Sequence, residues 1–523
     1  MRLSRLTALA FALMTASVAT AALSFNGPTQ FPTGPNPSGI ASGDFDNDGD
    51  FDFAVTIDTP DRISVYFNNG SGVFGAPVNY PTGAGTGLDA ITAADLDGDG
   101  DIDLAVTLKG VNQVRTYLNQ GNGAFLVGPS AAVGLEPVAI VAGHFGGTPA
   151  MDLATCNRDA NTVSILISNG AGYTVSSVAT QLEPRQLVAG DFDGDNDVDL
   201  FVTNNDSRSI SFLRNSAGIF SNVQSYPVHA ATRPDGIAVV DIDGDLDLDL
   251  GVALSDDVVN YLAVFKNNGN GTMAAPVNYA TGGSNTSNVA FGDFDGDGDA
   301  DAALSNNDSN NVSFLENNGA GLFGAATLLP AGTRPGWVEI LDLDNDGSLD
   351  VAVANRDSSN LSFYHNNNVN AAVQVAAFSF LSGNLISGNL ASLHVSDDNR
   401  LVARPGVVFS TSIAPIRIEV EGNAPVGTAS AVQFTVESSS TSTNITQMVE
   451  MFNFSTGQWV VMDTRATTVT DSTMVISVTT GATNFVDPVT GNVRSRIHYR
   501  AVGPVFAYPW NARLDLVRWT ITP

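Results

Sequence analysis

The sequence predicts an all-β protein in which a seven-bladed β-propeller is followed by a C-terminal β-sandwich. An aspartate-rich string of nine residues recurs seven times, and successive copies begin 47 to 52 residues apart. Short β-branched and aromatic runs, separated by Asn/Gly turns, follow each copy, and the strings cease before residue 369. Four strands in a unit of about fifty residues are typical of a propeller blade, so seven units predict seven blades.

Residues 1–22 have the pattern of an export signal. Arg2 and Arg5 give a positive start, residues 6–18 are mostly apolar, and small residues ending at Ala21 form a cleavage pattern. An N-terminal membrane anchor is the alternative. No later apolar stretch approaches the roughly 20 residues that span a bilayer. We therefore expect an exported protein, secreted or at the cell surface, with no transmembrane segment.

The net charge of −32 argues against nucleic acid as a partner, because binding phosphate requires a basic surface. Cys156 is the single cysteine, so no disulfide can form within the chain. An exported protein of this size without disulfides needs another stabilising link. Its carboxylates indicate that this link is a bound metal ion.

Six copies of the string are intact, with carboxylates at positions 1, 3, 5 and 9 and Gly at position 6 in four of them. Alternate carboxylates converge on one point when the turn is tight, which gives the all-oxygen shell of Ca²⁺. Position 7 can add its backbone carbonyl. Magnesium demands a stricter octahedron, and zinc or copper would favour His or Cys.

We therefore predict about six Ca²⁺ ions. The predicted metal-site residues are Asp44, Asp46, Asp48, Asp50 and Asp52; Asp95, Asp97, Asp99, Asp101 and Asp103; Asp191, Asp193, Asp195, Asp197 and Asp199; Asp241, Asp243, Asp245, Asp247 and Asp249; Asp293, Asp295, Asp297, Asp299 and Asp301; and Asp342, Asp344, Asp346, Ser348 and Asp350.

Two other interpretations of these strings are less consistent with the sequence. An EF-hand needs a bidentate Glu at position 12, where all six copies have Val or Leu. A solvated Asp-rich turn would explain a single copy. Six copies would each bring together four carboxylates, which repel one another unless a cation neutralises them.

Two intact copies lack Gly at position 6. Asn196 can still adopt a left-handed conformation there, but Leu246 cannot do so cheaply. We therefore expect the fifth copy to bind its ion more weakly or to turn differently.

The third copy begins at His144 and keeps only Asp152, with Gly146 and Thr148 at other ligand positions. A blade that has lost its ion is the favoured interpretation, and a transition-metal site at His144 is the alternative. We also expect Asp152→Ala to leave calcium-dependent stability unchanged.

The ends of the array predict how the ring closes. The segment from Leu23 resembles the fourth-strand segments of later units, and the last unit has no obvious fourth strand after His365. We therefore expect the N-terminal segment to supply the outer strand of the last blade, which leaves no open array end. An ordinary N-terminal tail is the alternative.

The predicted domains are a propeller over residues 23–370 and a sandwich over 371–523, since the tail has balanced charge, no Asp strings and eight or nine strand-like runs. Alternation places Arg494, Arg496, His498 and Arg500 on one strand face. A solvated outer face is the favoured interpretation of this stripe. Docking of an acidic glycan or of the propeller is the alternative.

The six strings and the apolar strands that follow them resemble the FG-GAP/VCBS repeat family, whose propeller also forms the head of integrin α subunits. The resemblance covers about residues 23–368. It implies Ca²⁺ ligands at loop positions 1, 3, 5 and 9, no such site in the third blade, and ligand recognition on the opposite face. The tail more weakly resembles sandwich domains of exported bacterial repeat proteins.

We expect an extracellular binding or adhesion module for a protein or glycan ligand, with calcium mainly structural, and not an enzyme. A propeller-based polysaccharide lyase or hydrolase is the alternative. The five histidines are scattered, Lys109 and Lys266 are the only lysines, and no G-x-S-x-G or H-E-x-x-H motif occurs. These absences favour binding over catalysis.

Overall fold

The computed structural model describes residues 23–523 apart from short gaps, so the predicted export signal lies outside the described residues. The gaps are 147–149, 257–258, 296, 367–370, 383, 388–392, 394–399, 406–413, 425–428, 430, 443–444, 470–471, 489, 502–510 and 523. Within the described ranges the named elements are β-strands and short 3-10 turns, with no α-helix. No helix in these ranges is long and apolar enough to cross a membrane.

The described residues from 25 to 366 form seven four-stranded antiparallel sheets, which are the blades of a propeller. In blades 1 to 6 the strands run outward in chain order. The strands are β2 (Pro37–Gly43), β3 (Asp52–Asp58), β4 (Asp61–Tyr66) and β5 (Val78–Pro81) in blade 1; β6 (Leu88–Ala94), β7 (Asp103–Leu108), β8 (Gln113–Asn119) and β9 (Phe125–Ala132) in blade 2; β10 (Pro137–Gly143), β11 (Asp152–Asn157), β12 (Thr162–Ser168) and β13 (Tyr173–Ala179) in blade 3; β14 (Pro184–Gly190), β15 (Asp199–Asn204), β16 (Ser209–Arg214) and β17 (Ser221–Pro227) in blade 4; β18 (Arg233–Val240), β19 (Asp249–Ser255), β20 (Tyr261–Phe265) and β21 (Val277–Ala280) in blade 5; and β22 (Thr286–Gly292), β23 (Asp301–Asn306), β24 (Asn311–Leu315) and β25 (Thr327–Pro330) in blade 6.

Blade 7 closes the ring with a strand from the other end of the array. Its inner strands are β26 (Pro335–Leu341), β27 (Asp350–Asn355) and β28 (Asn360–Asn366), and its outer strand is β1 (Phe25–Pro32). The innermost strand of each blade contacts that of the next blade, and β26 contacts β2. The prediction that the N-terminal segment completes the last blade is confirmed.

The apolar run after each string forms the second strand of its blade. These strands are buried on both faces, as in β3, where Phe53, Ala54 and Val55 are at most 1% exposed. Both faces are covered because each blade packs between two neighbours, and a strand buried on both faces has a continuous apolar sequence rather than an alternating one. Adjacent blades share cores, such as Ile63 of blade 1 with Leu104 of blade 2.

Residues after the propeller form two further antiparallel sheets. The strands are β29 (Ala371–Gln374), β30 (Ala377–Ser382), β31 (Asn384–Ser387), β32 (Leu401–Arg404), β33 (Ile416–Asn423), β34 (Ala431–Ser440), β35 (Ile445–Asn453), β36 (Gln458–Ala466), β37 (Ser472–Val478), β38 (Asn492–Ala501) and β39 (Ala512–Thr522). The first sheet has the strand order β31-β32-β39-β34-β37, with β29 also paired to β39, and the second has the order β30-β33-β38-β35-β36. Side chains from both sheets, including Phe434, Ile497 and Trp519, form one hydrophobic core. This shared core agrees with the sandwich expected from the sequence, although the described residues contain eleven strands rather than eight or nine.

The basic stripe on β38 is not the solvated face that the sequence suggested. Arg494 and Arg496 both bind Glu419 on the neighbouring strand, and the Arg496 Nε lies 2.8 Å from the Glu419 Oε2. Burial opposes the charge on Glu419, but hydrogen bonds from the two arginines lower its pKa overall. His498 is 7% exposed, and its Nε2 lies 2.9 Å from the Glu450 Oε2. These three basic side chains are therefore already paired, and the solvated interpretation is wrong for them.

The position of β1 leads to a test of ring closure. Phe25 stacks against Phe314 with ring centroids 4.3 Å apart, and Phe31 stacks against Phe363 at 5.7 Å. Removing residues 23–32 deletes both rings and exposes the edge of β28. We expect the truncated protein to melt at least about 5 °C lower and to self-associate, as measured by calorimetry and sedimentation velocity.

The control for this truncation is Gln30→Ala, which keeps the strand and removes one side-chain hydrogen bond to Ser362. It should remain monomeric and melt within about 2 °C of the wild type. A truncated protein that stays monomeric with unchanged melting would show that β1 does not stabilise the ring.

Candidate functional site

All seven strings lie on one face of the propeller, called here the loop face. Each string joins the innermost strand of a blade to its second strand, as residues 44–51 join β2 to β3. Because every blade runs in the same direction, the seven loops lie at the same end of the ring. Loops are numbered below by blade, so the loop from His144 is loop 3.

The turn of each intact loop is held by its own carboxylates. The backbone N–H at position 6 donates to the first Asp in all six intact loops, at 2.9 to 3.1 Å. The N–H at position 7 donates to the carboxylate at position 5, at 2.8 to 3.0 Å. These bonds bend the chain so that alternate side chains converge.

Leu246 adopts the same turn as the glycines at position 6. Its φ is +75°, and its N–H donates to the Asp241 Oδ2 at 2.9 Å. Of the two outcomes expected for loop 5, the different turn is therefore wrong, and the weaker binding stays a prediction. The side chain is 90% exposed, so the left-handed conformation costs about 1–2 kcal/mol without any steric clash with the rest of the blade.

The carboxylates of the loops converge closely enough to share one ion. Ligand oxygens of Asp44, Asp46 and Asp48 lie within 4.8 Å of one another, and the same is true of the first three Asp of loops 2 and 5. In loop 4 the convergent set is Asp191, Asp193 and Asp199. Positions 1, 3, 5 and 9 are thus all represented among these clusters, as the sequence predicts.

The strongest evidence for a cation is at position 3. One carboxylate oxygen of the third-position Asp is buried and has no hydrogen-bond partner in five of the six intact loops. These atoms are Asp46 Oδ1, Asp193 Oδ1, Asp243 Oδ1, Asp295 Oδ2 and Asp344 Oδ1. A buried anionic oxygen without a donor is costly. A hard divalent cation with oxygen ligands would complete it, and Ca²⁺ fits this donor set.

Several loop carboxylates, at positions 3 and 9, have pKa values above the usual range of an aspartate. Burial raises the pKa of Asp52, Asp199 and Asp301 to about 7, against the opposing effect of backbone hydrogen bonds. Burial, together with repulsion from Asp301 and Asp297, raises the pKa of Asp295 to about 8. A cation in the cluster would instead favour the charged form.

The Asp at position 9 has a second, structural role. In loop 2 the Asp103 Oδ2 accepts the N–H of Leu96 at 2.9 Å, and its Oδ1 accepts that of Asn119 at 2.7 Å. Equivalent bonds occur in all seven blades, and each ninth Asp is fully buried. This carboxylate therefore connects the loop to the end of the third strand.

Loop 3 retains this structural Asp after losing the other carboxylates. The Asp152 Oδ2 accepts the N–H groups of Phe145 and Gly146 at 2.9 and 2.7 Å, and its Oδ1 accepts that of Ser168 at 2.7 Å. The His144 Nδ1 lies 3.2 Å from the Ala150 carbonyl oxygen. Thr148 lies outside the described residues.

Side chains at position 7 contact neighbouring segments. The seventh-position residues concerned are Asp50, Asp101 and Asp197. The Asp101 Oδ1 accepts a hydrogen bond from the Asn47 Nδ2 at 2.9 Å, and Asp50 accepts one from Asn345. The Asp197 Oδ2 accepts the N–H of Ala217 at 2.9 Å. These seventh-position side chains therefore link loops to adjacent turns. The backbone carbonyl at position 7 remains a predicted metal ligand.

A buried Asn at the end of the third strand joins neighbouring blades, and the sequence analysis missed it. The Asn119 Nδ2 donates to the Phe45 carbonyl of blade 1 at 2.8 Å and to the Ile102 carbonyl of its own loop at 3.1 Å. Ser168 occupies this position in blade 3. The available signal was an Asn 16 residues after the ninth Asp in five of the six intact units. The six residues are Asn68, Asn119, Asn215, Asn267, Asn317 and Asn366.

The opposite face carries a pocket on the propeller axis, called here the axial pocket. Its volume is about 460 Å³, and residues from all seven blades line it. A second cavity of about 360 Å³ continues into the channel and shares Gln186 and Trp337 with it. The charged side chains that line the axial pocket are Arg185, Arg233, Arg334, Arg356, Asp89 and Asp235.

The sequence of the loop face matches a known repeat family. The sequence model of the FG-GAP-like repeat matches residues 44–106, 191–252, 252–304 and 301–353. The chain carries FG-GAP-like repeats. All six intact loops fall within these FG-GAP-like ranges, whereas loop 3 does not. The converging carboxylates of loops 1, 2, 4 and 5 therefore all lie in matched segments.

No curated protein sequence matches the whole chain or any part of it. Among solved structures, a protein from Lactobacillus plantarum is similar at 14% identity and a TM-score of 0.43, covering 57% of this chain and 86% of its own. The periplasmic gluconolactonase PpgL of Pseudomonas aeruginosa is similar at 16% identity and a TM-score of 0.45, with the same two coverages.

The contacts of Asp152 add a calcium-independent loss of stability to the effect expected for its substitution. Asp152→Ala leaves three backbone N–H groups of blade 3 without their acceptor, two of which belong to the loop and one to Ser168. We expect the free energy of unfolding of the propeller to fall by about 2–4 kcal/mol, measured by denaturant titration. The loss should be the same with and without a calcium chelator, because loop 3 lacks the other carboxylates.

Asp159→Ala is the matched control, because this Asp is exposed and lies in the same blade. It should change stability by less than about 0.5 kcal/mol. If Asp152→Ala is as stable as this control, the ninth Asp does not have the structural role described here.

Proposed function

We propose that this protein is an exported calcium-binding β-propeller that acts as an extracellular binding or adhesion module for a protein or glycan ligand. Calcium is mainly structural in this proposal, and ligand recognition takes place at the axial pocket. The observation that carries it is the separation of two sites: convergent carboxylates on the loop face, and an arginine-lined pocket on the opposite face.

Calcium is supported by the buried third-position oxygens that lack a donor. Asp295 is 3% exposed, and one of its oxygens has no hydrogen-bond partner. No His or Cys occurs within the six intact strings, so the donors that the strings supply are all oxygen, and only in loop 7 does a nearby imidazole, that of His365, join a described cluster, with Asp344 and Asp350. Calcium prefers this donor set, and an ion at each cluster would neutralise the repulsion among its carboxylates.

The location of the loops supports a structural role for the ions. Each loop connects the first two strands of its blade, and its ninth Asp also holds the end of the third strand. An ion bound only by the folded loop adds about 1.4 kcal/mol of stability when calcium is at ten times its Kd. Several such sites together would contribute as much as the stability of an ordinary domain.

The axial pocket supports recognition of an acidic ligand. Four of the eleven basic residues between positions 23 and 368 line this one pocket. Arg185 is paired with Glu183, and Arg233 with Asp206. The guanidinium groups of Arg334 and Arg356 have no ion pair or hydrogen bond within the described residues. A free guanidinium fits carboxylate and sulfate groups in a bidentate geometry.

An acidic glycan matches the remaining chemistry of the pocket better than a purely ionic ligand. Asp89 and Asp235 can accept hydrogen bonds from sugar hydroxyls, and Trp337 offers an aromatic surface. The pocket is also concave and lies on the axis, where one ligand can contact several blades. We therefore propose a uronate-containing or sulfated saccharide as the ligand class.

A carbohydrate-active enzyme is the second candidate function. Burial raises the pKa of Asp235, which lies in the axial pocket near Arg185 and Asp89. A partly buried carboxyl group with a raised pKa beside another carboxylate can serve as a general acid. Release of reducing ends or unsaturated products from acidic polysaccharides would favour this function over binding alone.

The structural role of calcium predicts a selective effect of chelation. Removing calcium should lower the melting temperature of the propeller by about 10 °C or more and leave the C-terminal transition unchanged, measured by calorimetry of the full chain. Magnesium at the same concentration should restore little of the loss, because it demands a stricter octahedral shell.

In buffer that contains calcium, Asp46→Asn should lower the melting temperature by part of this amount, because it removes one ligand and keeps the shape of the side chain. In the presence of a chelator it should have little effect. Asp159→Asn, outside the intact loops, is the control. Unchanged melting of the wild type after chelation would contradict a structural role for calcium.

The axial pocket predicts which residues bind an acidic glycan. Replacing Arg334 and Arg356 together by Gln should weaken binding of an oligogalacturonate about a hundredfold, because each charge-assisted pair is worth at least about tenfold in affinity. Isothermal titration calorimetry measures the change, with a neutral dextran oligomer as the ligand that should not bind.

Arg465→Gln makes the same substitution once outside the pocket, removing one positive charge, and should leave oligogalacturonate binding unaltered. Equal affinity of the double variant and the wild type would contradict recognition through these arginines. Binding of oligogalacturonate and dextran with equal affinity would contradict an acidic ligand.

A further inference from the structure

In blades 4 and 5 a basic side chain lies on the third-position carboxylate of the loop. The Arg214 Nε lies 2.6 Å from the Asp193 Oδ2, and its Nη2 lies 3.0 Å from the Asp195 Oδ2. The Lys266 Nζ lies 2.9 Å from the Asp243 Oδ2. A positive charge supplied by the protein is therefore already in contact with a predicted metal ligand in these two loops.

The position of these basic residues repeats around the ring. Each directly precedes the buried Asn that joins neighbouring blades, and the side chain at this position varies among the six intact units. The residues are Phe67, Leu118, Arg214, Lys266, Glu316 and His365. Arg and Lys thus occur there only in blades 4 and 5. The imidazole of His365, 3.5 Å from the Asp344 Oδ2, differs from them because its nitrogen can itself act as a metal ligand.

A second, independent feature marks the same two loops. Position 6 is Gly in loops 1, 2, 6 and 7, but Asn196 in loop 4 and Leu246 in loop 5. All of these residues have positive φ, so the two non-Gly loops form the metal-binding turn at a higher conformational cost. The loops with the less favourable turn are therefore the loops with a built-in positive charge.

We propose that Arg214 and Lys266 are internal counter-ions that partly replace calcium in loops 4 and 5. The chain then has two classes of site: four tighter calcium sites, in loops 1, 2, 6 and 7, and two weaker ones, in loops 4 and 5. This inference rests on the proposed calcium binding and goes beyond it by ranking the sites.

Electrostatics gives the direction and the approximate size of the difference. An ammonium or guanidinium group bound to one carboxylate oxygen lies within about 5 Å of an ion bound to the other, and the two like charges repel. If the side chain instead moves aside, calcium binding must break the existing ion pair. Either way, we expect affinity in loops 4 and 5 to be at least about tenfold lower.

The counter-ions also affect the protein without calcium. In loops 4 and 5 the repulsion among carboxylates is partly neutralised in the apo state, whereas loops 1 and 2 have Phe67 and Leu118 at the same position. Blades 4 and 5 should therefore depend least on calcium for their stability, apart from blade 3, which lacks the carboxylates.

Calcium titration of the full chain tests this proposal directly. Calorimetric titration of chelator-treated protein with Ca²⁺ should resolve four tighter and two weaker sites. Lys266→Leu, which installs the residue of blade 2, should move one site from the weaker to the tighter class and lower the melting temperature in chelator. Leu118→Lys should do the reverse and move one tighter site to the weaker class.

Lys109→Leu is the matched control, because Lys109 is paired with Asp89 at 3.2 Å and lies outside the loops. It should leave both classes unchanged. Six equivalent sites in the wild type, or unaltered titrations for both Lys266→Leu and Leu118→Lys, would overturn the counter-ion proposal and leave the proposed calcium binding intact. A wild-type chain that takes up no Ca²⁺ would contradict the calcium binding on which the proposal rests.

Discussion

The buried carboxylate at the ninth loop position is the interaction on which each blade depends. It accepts backbone N–H groups from the start of its loop and from the end of the third strand, so it fixes three segments of the blade at once. Blade 3 illustrates its independence from any ion, because Asp152 keeps these bonds after the other carboxylates of its loop have been replaced. The carboxylates at positions 1 and 5 hold the turn of the loop, whereas the buried third-position oxygens that lack a donor are free to serve a cation.

The loop face combines these carboxylates with the amide groups that join the blades. The Asn317 Nδ2 reaches the Ile242 carbonyl of the neighbouring blade at 2.8 Å, and the same bond is present at six of the seven junctions. An ion in a loop would thus stabilise both a blade and its contact with the next one. The axial pocket lies at the opposite end of the ring, so the proposed recognition site is separate from the proposed calcium sites.

The repeat period in the sequence predicted the blades and the closing role of β1, because both depend on local patterns that recur. Contacts between distant segments could not be predicted in this way. The acceptor of Asn119 is 74 residues away, and the arginines of the axial pocket are brought together only by ring closure. Leu246 was misjudged because the sequence does not reveal that its side chain extends into solvent. The stripe on β38 was misjudged because its partner, Glu419, lies on another strand.

Calcium at the converged carboxylates is the central claim, and anomalous diffraction locates the ions directly. Crystals grown with saturating CaCl₂ and measured at long wavelength should show anomalous peaks among positions 1, 3, 5 and 9 of loops 1, 2, 6 and 7. Peaks are also expected in loops 4 and 5, because saturating calcium fills the weaker sites, and none is expected in loop 3, where Asp152 alone remains. The absence of peaks from all six intact loops under these conditions would contradict a calcium-stabilised propeller.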